Sequence, residues 1–214
     1  MENKELMVNS PNDIAPPSFG SPSIWEDKSK FDQVLRSAQM LSKTSIIPER
    51  YQDKPQDCFV ALEMASRMNI SPMVVMQNLY VVKGKPSWAG QACMMLINSC
   101  GKFKDVRHIY TGKRGTDERG CFVSAVRVSD GEIVEGIEVT LDMARAEGWM
   151  SNPKWRNMPD LMLAYRASAF FARVFCPEAL MGVHTSEEVY DADLSNVNRG
   201  KANALTDELN GEQI

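Results

Sequence analysis

The sequence predicts an α+β fold, a small antiparallel sheet packed with helices in one core domain. Three observations predict it. Apolar residues recur at helical spacing before residue 78 and again after residue 141, the stretch 103–139 alternates in the manner of strands, and Asp130-Gly131 is a strong signal for a tight two-residue hairpin turn between two of those strands. At 214 residues the chain has room for one sizeable domain, but not for a TIM barrel of roughly 250 residues. Its 43% hydrophobic and 24% charged residues are enough to build a real core.

The elements follow in order. Residues 9–24, NSPNDIAPPSFGSPSI, concentrate Pro, Ser, Gly and Asn without periodicity, so residues 1–30 are expected to be a flexible segment, with the fold starting near Trp25. Phe31, Val34, Leu35 and Ala38 mark a helix over 31–41, and Pro48 breaks the chain after it. Asp53 with Gln56 resembles a capping box for a helix whose stripe is Cys58, Ala61, Leu62, Ala65 and Met68 and whose end is Asn69. Ser71-Pro72 starts a short helix to about Gln77, Leu79–Val82 is a strand, and residues 83–86 are a turn. From Trp88 the sequence predicts another helix, closed by Gly101. Three strands fill 103–139, and a helix over 141–147 stops at Gly148. The longest helical run, DLMLAYRASAFFARVF, presents Leu163, Ala167, Phe170, Phe171 and Val174 as its buried face. Thr185 with Glu188 is a second capping box. The core is expected over 31–191, with an acidic disordered tail over 192–214.

Charge is distributed unevenly. The net charge is −4, yet residues 1–30 carry 3 basic and 5 acidic groups, 31–175 carry 19 and 15, and 176–214 carry 2 and 8. A locally basic middle matters more for a polyanionic partner than the whole-chain average does. The 5 cysteines form no CxxC pair, which suits neither a disulfide framework nor a thiolate zinc site, and the 2 histidines sit in no metal-binding spacing. No membrane-length apolar run and no secretory leader are visible, so a cytoplasmic location is expected.

The usual ATP cradle GxxxxGK[ST] is missing, as Gly84-Lys85 runs into Pro86, and GxSxG and GxGxxG are absent too. What stands out is a set of cations with interleaved rings. Lys83 and Lys85 flank Gly84 beside Trp88; Lys102, Lys104, Arg107, Lys113, Arg114 and Arg119 fall within 18 residues; Lys154, Trp155 and Arg156 precede a helix carrying Tyr165, Arg166 and Arg173. Cations hold phosphates and flat rings support bases, which is what a sequence-tolerant nucleic-acid groove needs. Arg166 and Arg173 lie two turns apart, about 10 Å along the axis, and project from nearly the same side. The bland alternatives are core packing for Trp88 and Trp155, a solvated loop for Lys113, Arg114 and Arg119, and a buried ion pair with Asp160 or Glu178 for the helix arginines.

Three stretches, Ala61–Ile97, Lys154–Phe175 (KWRNMPDLMLAYRASAFFARVF) and Gly182–Asp191 (GVHTSEEVYD), resemble in order and spacing the RecT family of phage single-strand annealing proteins, over roughly 31–191. The resemblance implies a non-enzymatic, ATP-independent protein. It would bind single-stranded DNA, anneal complementary strands in phage-type recombination, hold the annealed duplex, and assemble into rings or helical filaments. Arg166 and Arg173 match DNA-contacting positions of the family. A further basic position of the lambda-type beta proteins is Asp160 here, a departure at the helix start. The turn carrying Lys83 and Lys85 matches a hairpin near groove and subunit contact. No cofactor is required, although Mg²⁺ could assist annealing. A phage exonuclease and the host single-strand-binding protein are the candidate partners, and with about 23 residues after Asp191 a C-terminal module for the latter is not expected.

The expected DNA contacts are therefore Lys83, Lys85, Arg107, Lys113, Arg114, Lys154, Trp155, Arg156, Arg166 and Arg173. Two rival readings come from other classes. One is a Mg²⁺-dependent nuclease built on Asp105, Asp117, Glu118, Glu132, Glu135 and Glu138. The other is a phage protein-binding factor whose acidic tail mimics a polyanion.

Overall fold

In the computed structural model, which describes residues 24–194 and 196, the first helix begins at an aspartate. The Asp27 carboxylate accepts from Ser29 N–H at 2.8 Å, so α1 (Lys28–Leu41) starts three residues ahead of the predicted Phe31. The segment expected to be flexible through residue 30 is thus helical at its end, and positions 1–23 lie outside the described residues. Trp25, Phe31 and Phe59 cluster, with ring centroids 5.3–5.7 Å apart, and fasten α1 to α2 (Pro55–Met68). The expected capping box at α2 does not form. Asp53 has a positive φ of 57° and pairs with Lys43 at 2.8 Å, leaving Pro55 in the first turn to open the helix. Asn69, at φ 51°, closes it in the left-handed conformation as the sequence predicts.

Next come α3 (Pro72–Asn78) and a hairpin of β1 (Leu79–Val82) and β2 (Lys85–Trp88). Its turn is only Lys83-Gly84, both at positive φ (52° and 75°), the signature of a two-residue hairpin turn whose twist matches the strands. Trp88 therefore ends a strand rather than starting a helix. It pairs with Leu79 on one side and Thr185 on the other, its buried indole N–H donates to the Leu180 carbonyl at 3.1 Å, and the helix α4 waits until Ala92–Ser99.

The second sheet holds β3 (Phe103–Thr111), β4 (Gly120–Arg127), β5 (Ile133–Glu135) and β6 (Val139–Thr140), all antiparallel. The hairpin predicted at Asp130-Gly131 is present, but its turn is four residues long, 128–131, and not the tight two-residue turn expected, because Arg127 N–H donates to Glu132 O at 2.8 Å and Gly131 N–H donates to Arg127 O at 2.9 Å. Its second strand is split into β5 and β6. Gly136 sits at the break because a Cβ there would come within 3.0 Å of the Phe171 ring.

Cys121, Val123 and Ala125 of β4 are buried against α7 (Pro159–Phe175), and Phe103 meets Phe171 edge-on at 5.2 Å. Leu163, Ala167 and Phe171 form the predicted core face, but Val174 is exposed, whereas Ala164, Ser168, Ala169 and Ala172 are buried. The sheet covers α7 on one side and the last helix lies along another, so it is a central helix rather than an amphipathic surface one. Around it stand α5 (Leu141–Ala146), capped by Thr140, and the single-turn helices α6 (Lys154–Asn157) and α8 (Pro177–Leu180).

β7 (His184–Thr185) pairs in parallel with β2 and leads into α9, residues 186–194. Here the predicted capping box forms in full. Thr185 N–H donates to Glu188 Oε2 at 2.9 Å, and Glu188 N–H donates to Thr185 Oγ1 at 3.2 Å. The tail expected to be disordered from 192 is helical at 192–194 and at 196, and the remaining positions lie outside the described residues.

Candidate nucleic-acid interface

The two helix arginines are turned inward. Arg166 is buried between the Trp149 ring, 3.9 Å from the guanidinium carbon, and Asp191 of α9, to which it donates at 2.5 Å. Asp191 also accepts from Asn152 Nδ2 at 2.8 Å and from the Trp155 indole N–H at 3.0 Å. Trp155, only 1% exposed, stacks on Trp149 with centroids 5.3 Å apart. Burial pushes the Arg166 guanidinium below its ordinary pKa, while Glu188 and Asp191 oppose the shift. Two expected contacts are corrected by this arrangement. Both side chains are buried, so Trp155 presents no face to a base and Arg166 no donor fork to a phosphate.

Arg173 is partly exposed but holds Glu188 through both guanidinium nitrogens at 2.5 Å and touches His184 Nδ1 at 3.1 Å. Burial works to raise the Glu188 carboxyl; the hydrogen bonds from Arg173 and Thr185 N–H outweigh it and hold the group below the usual value. α9 therefore runs antiparallel to α7, pairing 191 with 166 and 188 with 173. Neither carboxylate proposed from the sequence as the arginines' partner takes that role. Glu178 pairs with Lys102, and Asp160 with Arg119 and Arg114.

The exposed cations lie around this core. Lys83, on the hairpin turn, reaches Asp193 of α9 at 3.4 Å, and Lys85 follows on the same hairpin, exposed and with no ion pair among the described residues. Beside the hairpin lies an open cleft lined by Val82, Asn152, Pro153, Lys154, Glu187 and Tyr190. It joins the end of β1, the start of α6 and the outer face of α9. Lys154 is exposed at its edge and likewise has no ion pair among the described residues. Arg156, further along α6, is exposed and donates to the Met150 carbonyl at 3.0 Å.

α6 gives way directly to α7, whose first turn anchors the β3–β4 loop. Arg119 is buried and grips both oxygens of Asp160 at 2.8 and 3.0 Å, and the exposed Arg114 reaches the same carboxylate at 3.0 Å. Arg119, with Arg114 adding to it, holds the Asp160 carboxyl below its ordinary value. The acidic departure at this helix start thus gathers two arginines, and Lys113 beside them is exposed. Arg107 does not join this group. His108, its neighbour, bonds to Ser168 of α7 at 2.8 Å, so alternation along β3 sends Arg107 to the opposite face of the sheet.

Sequence reasoning missed Tyr190, Glu187 and Asn152 in the cleft and Arg119 as the anchor of the loop. Tyr190 and Glu187 were visible as part of SEEVYD, but only the docking of α9 shows which side of that helix stays open. Three of the six acidic residues of the nuclease reading hold partners: Asp117 pairs with Arg145, Glu138 accepts from Thr111, and Glu132 pairs with Arg127. Among the described residues no group of three or more His, Cys, Asp or Glu is placed to hold a metal ion, and no helix is long and apolar enough to cross a membrane. Set against family models, curated proteins and solved structures, the chain finds no match.

Proposed function

We propose that the chain is an ATP-independent single-strand DNA-binding protein that anneals complementary strands in phage-type recombination, working as a homo-oligomer in the bacterial cytoplasm. The observation that carries this reading is the set of exposed cations from the hairpin over α6 to the β3–β4 loop: Lys83, Lys85, Lys154, Arg156, Lys113 and Arg114. Four of them, Lys85, Lys154, Arg156 and Lys113, have no ion pair among the described residues of a chain whose net charge is −4. The resemblance of the three sequence stretches supports the same conclusion. The contacts that remain are mostly lysines on turns and short helices, with Arg166 and Arg173 as the ion-paired framework behind them.

No bond is made or broken in such a mechanism. Each subunit neutralises phosphates of one strand, and a second strand pairs with the held bases. Assembly of several subunits raises the local strand concentration. Mg²⁺ would act only by screening phosphates, and an exonuclease or a single-strand-binding protein would supply or compete for the strand.

The test is pairing of complementary oligonucleotides carrying donor and acceptor fluorophores, without nucleotide. The expected result is accelerated pairing, with strand lengths unchanged in Mg²⁺ and binding that weakens steeply with salt. Absence of both acceleration and low-salt binding would overturn the reading, and shortened strands would favour the nuclease instead.

A further inference from the structure

The cleft between β1, α6 and α9 has a composition that the phosphate-binding reading does not use. Its walls are Val82, the Pro153 ring and the Tyr190 ring, and Tyr190 is 43% exposed. Its polar groups are those of Asn152, Lys154, Ser186 and Glu187. Asn152 is already committed, donating to Asp191 at 2.8 Å and accepting from Lys154 N–H at 3.1 Å. Glu187 lies over Gly90, where a Cβ would come within 2.8 Å of its Oε2, and accepts the Ser186 hydroxyl at 2.9 Å. Lys154 stands at the edge.

An open cleft that carries the half-buried Glu187 carboxylate beside the exposed Lys154 does not suit a phosphate alone, which Glu187 would repel. It suits a nucleotide whose base enters and whose phosphate stays at the rim. We infer that this cleft takes a single unpaired base, stacked on Tyr190 with its amino edge toward Glu187 and its phosphate on Lys154, and that it thereby makes the interface select single strands over duplex. The inference rests on the DNA-binding reading and deepens it. In a duplex both faces of each base are stacked and its edges are paired, so no base can enter without being flipped out. Cytosine, adenine and guanine carry exocyclic amino groups that a carboxylate can accept, whereas thymine offers only its N3–H, set between two carbonyl oxygens that the carboxylate repels. The cleft should therefore disfavour oligo-dT.

The test uses single-stranded and duplex oligonucleotides with the full chain. A strand carrying 2-aminopurine should lose fluorescence on binding, as its base stacks on the tyrosine. Tyr190→Ala should weaken single-strand affinity at least about fivefold, the usual loss of one stacked base, and leave duplex affinity unchanged. Tyr190→Phe should bind as the parent does, and Glu187→Gln should reduce the discrimination against oligo-dT. If the unmodified protein binds single strands but 2-aminopurine stays bright, the cleft holds no base and the inference fails while the DNA-binding reading stands. Equal losses for single strand and duplex in Tyr190→Ala would overturn the selectivity. No binding by the unmodified protein would overturn the underlying reading itself.

Discussion

Arg166 and Lys85 illustrate how one residue class divides into two roles. Arg166→Ala would break a buried ion pair with Asp191, a loss of about 3–5 kcal/mol, measurable as a large drop in the urea midpoint. Lys85→Ala should stay within about 0.5 kcal/mol of the parent and lower DNA affinity of any sequence. His108 carries a pH dependence. The Ser168 hydroxyl donates to the Ala164 carbonyl, so it accepts from His108, and burial lowers the imidazole below its ordinary 6.5. The unfolded chain therefore takes up a proton that the folded one resists. Stability should fall as pH drops below 6.5 toward the folded value, be flat above it, and lose this step in His108→Gln, as followed by urea midpoints at several pH values. The sequence showed that Arg166 and Arg173 share a helix side. It did not show what covers that side, because the partner carboxylates lie 25 and 15 positions away and become neighbours only when α9 docks.

At the level of elements, local signals were legible wherever the backbone alone decides. The Thr185/Glu188 box, the Asn69 end and the Asp130-Gly131 hairpin all follow from chemistry within a few residues. The Asp53/Gln56 box failed because Pro55 opens α2 unaided and Lys43, ten residues upstream, claims the aspartate. Trp88 departs from the helix that the sequence predicts for a different reason. An apolar run flanked by glycine fits strand or helix equally, and pairing with β1 and β7 decides. The hairpin yields its own prediction. Lys83 holds a left-handed backbone at φ 52°, which costs a non-glycine residue roughly 1 kcal/mol. Lys83→Gly should relieve that strain and raise the melting temperature while weakening DNA binding, a split between stability and affinity visible by parallel calorimetry and titration.

Over the whole molecule, the basic middle and acidic end read from the sequence turn out to be partners. Of the acidic groups after residue 175, Glu178, Glu188, Asp191 and Asp193 each pair with a cation of the middle segment. Much of the apparent asymmetry is thus structural complementarity, invisible in a running sum of charge. The α+β class was legible because it depends on periodicity, whereas the candidate interface depends on which cations are left over after folding. Gly90 tests how tightly these parts are joined. An added methyl would meet the Tyr165 ring at 2.6 Å, so Gly90→Ala should cost about 1–3 kcal/mol through overpacking and shift α9, seen as a lower melting temperature. The Lys83–Asp193 pair has one more consequence, for the practice of measurement. It brings the chain at position 193 beside the hairpin turn, so a dye attached at that position would sit against Lys83 and disturb whatever it was meant to report at the hairpin.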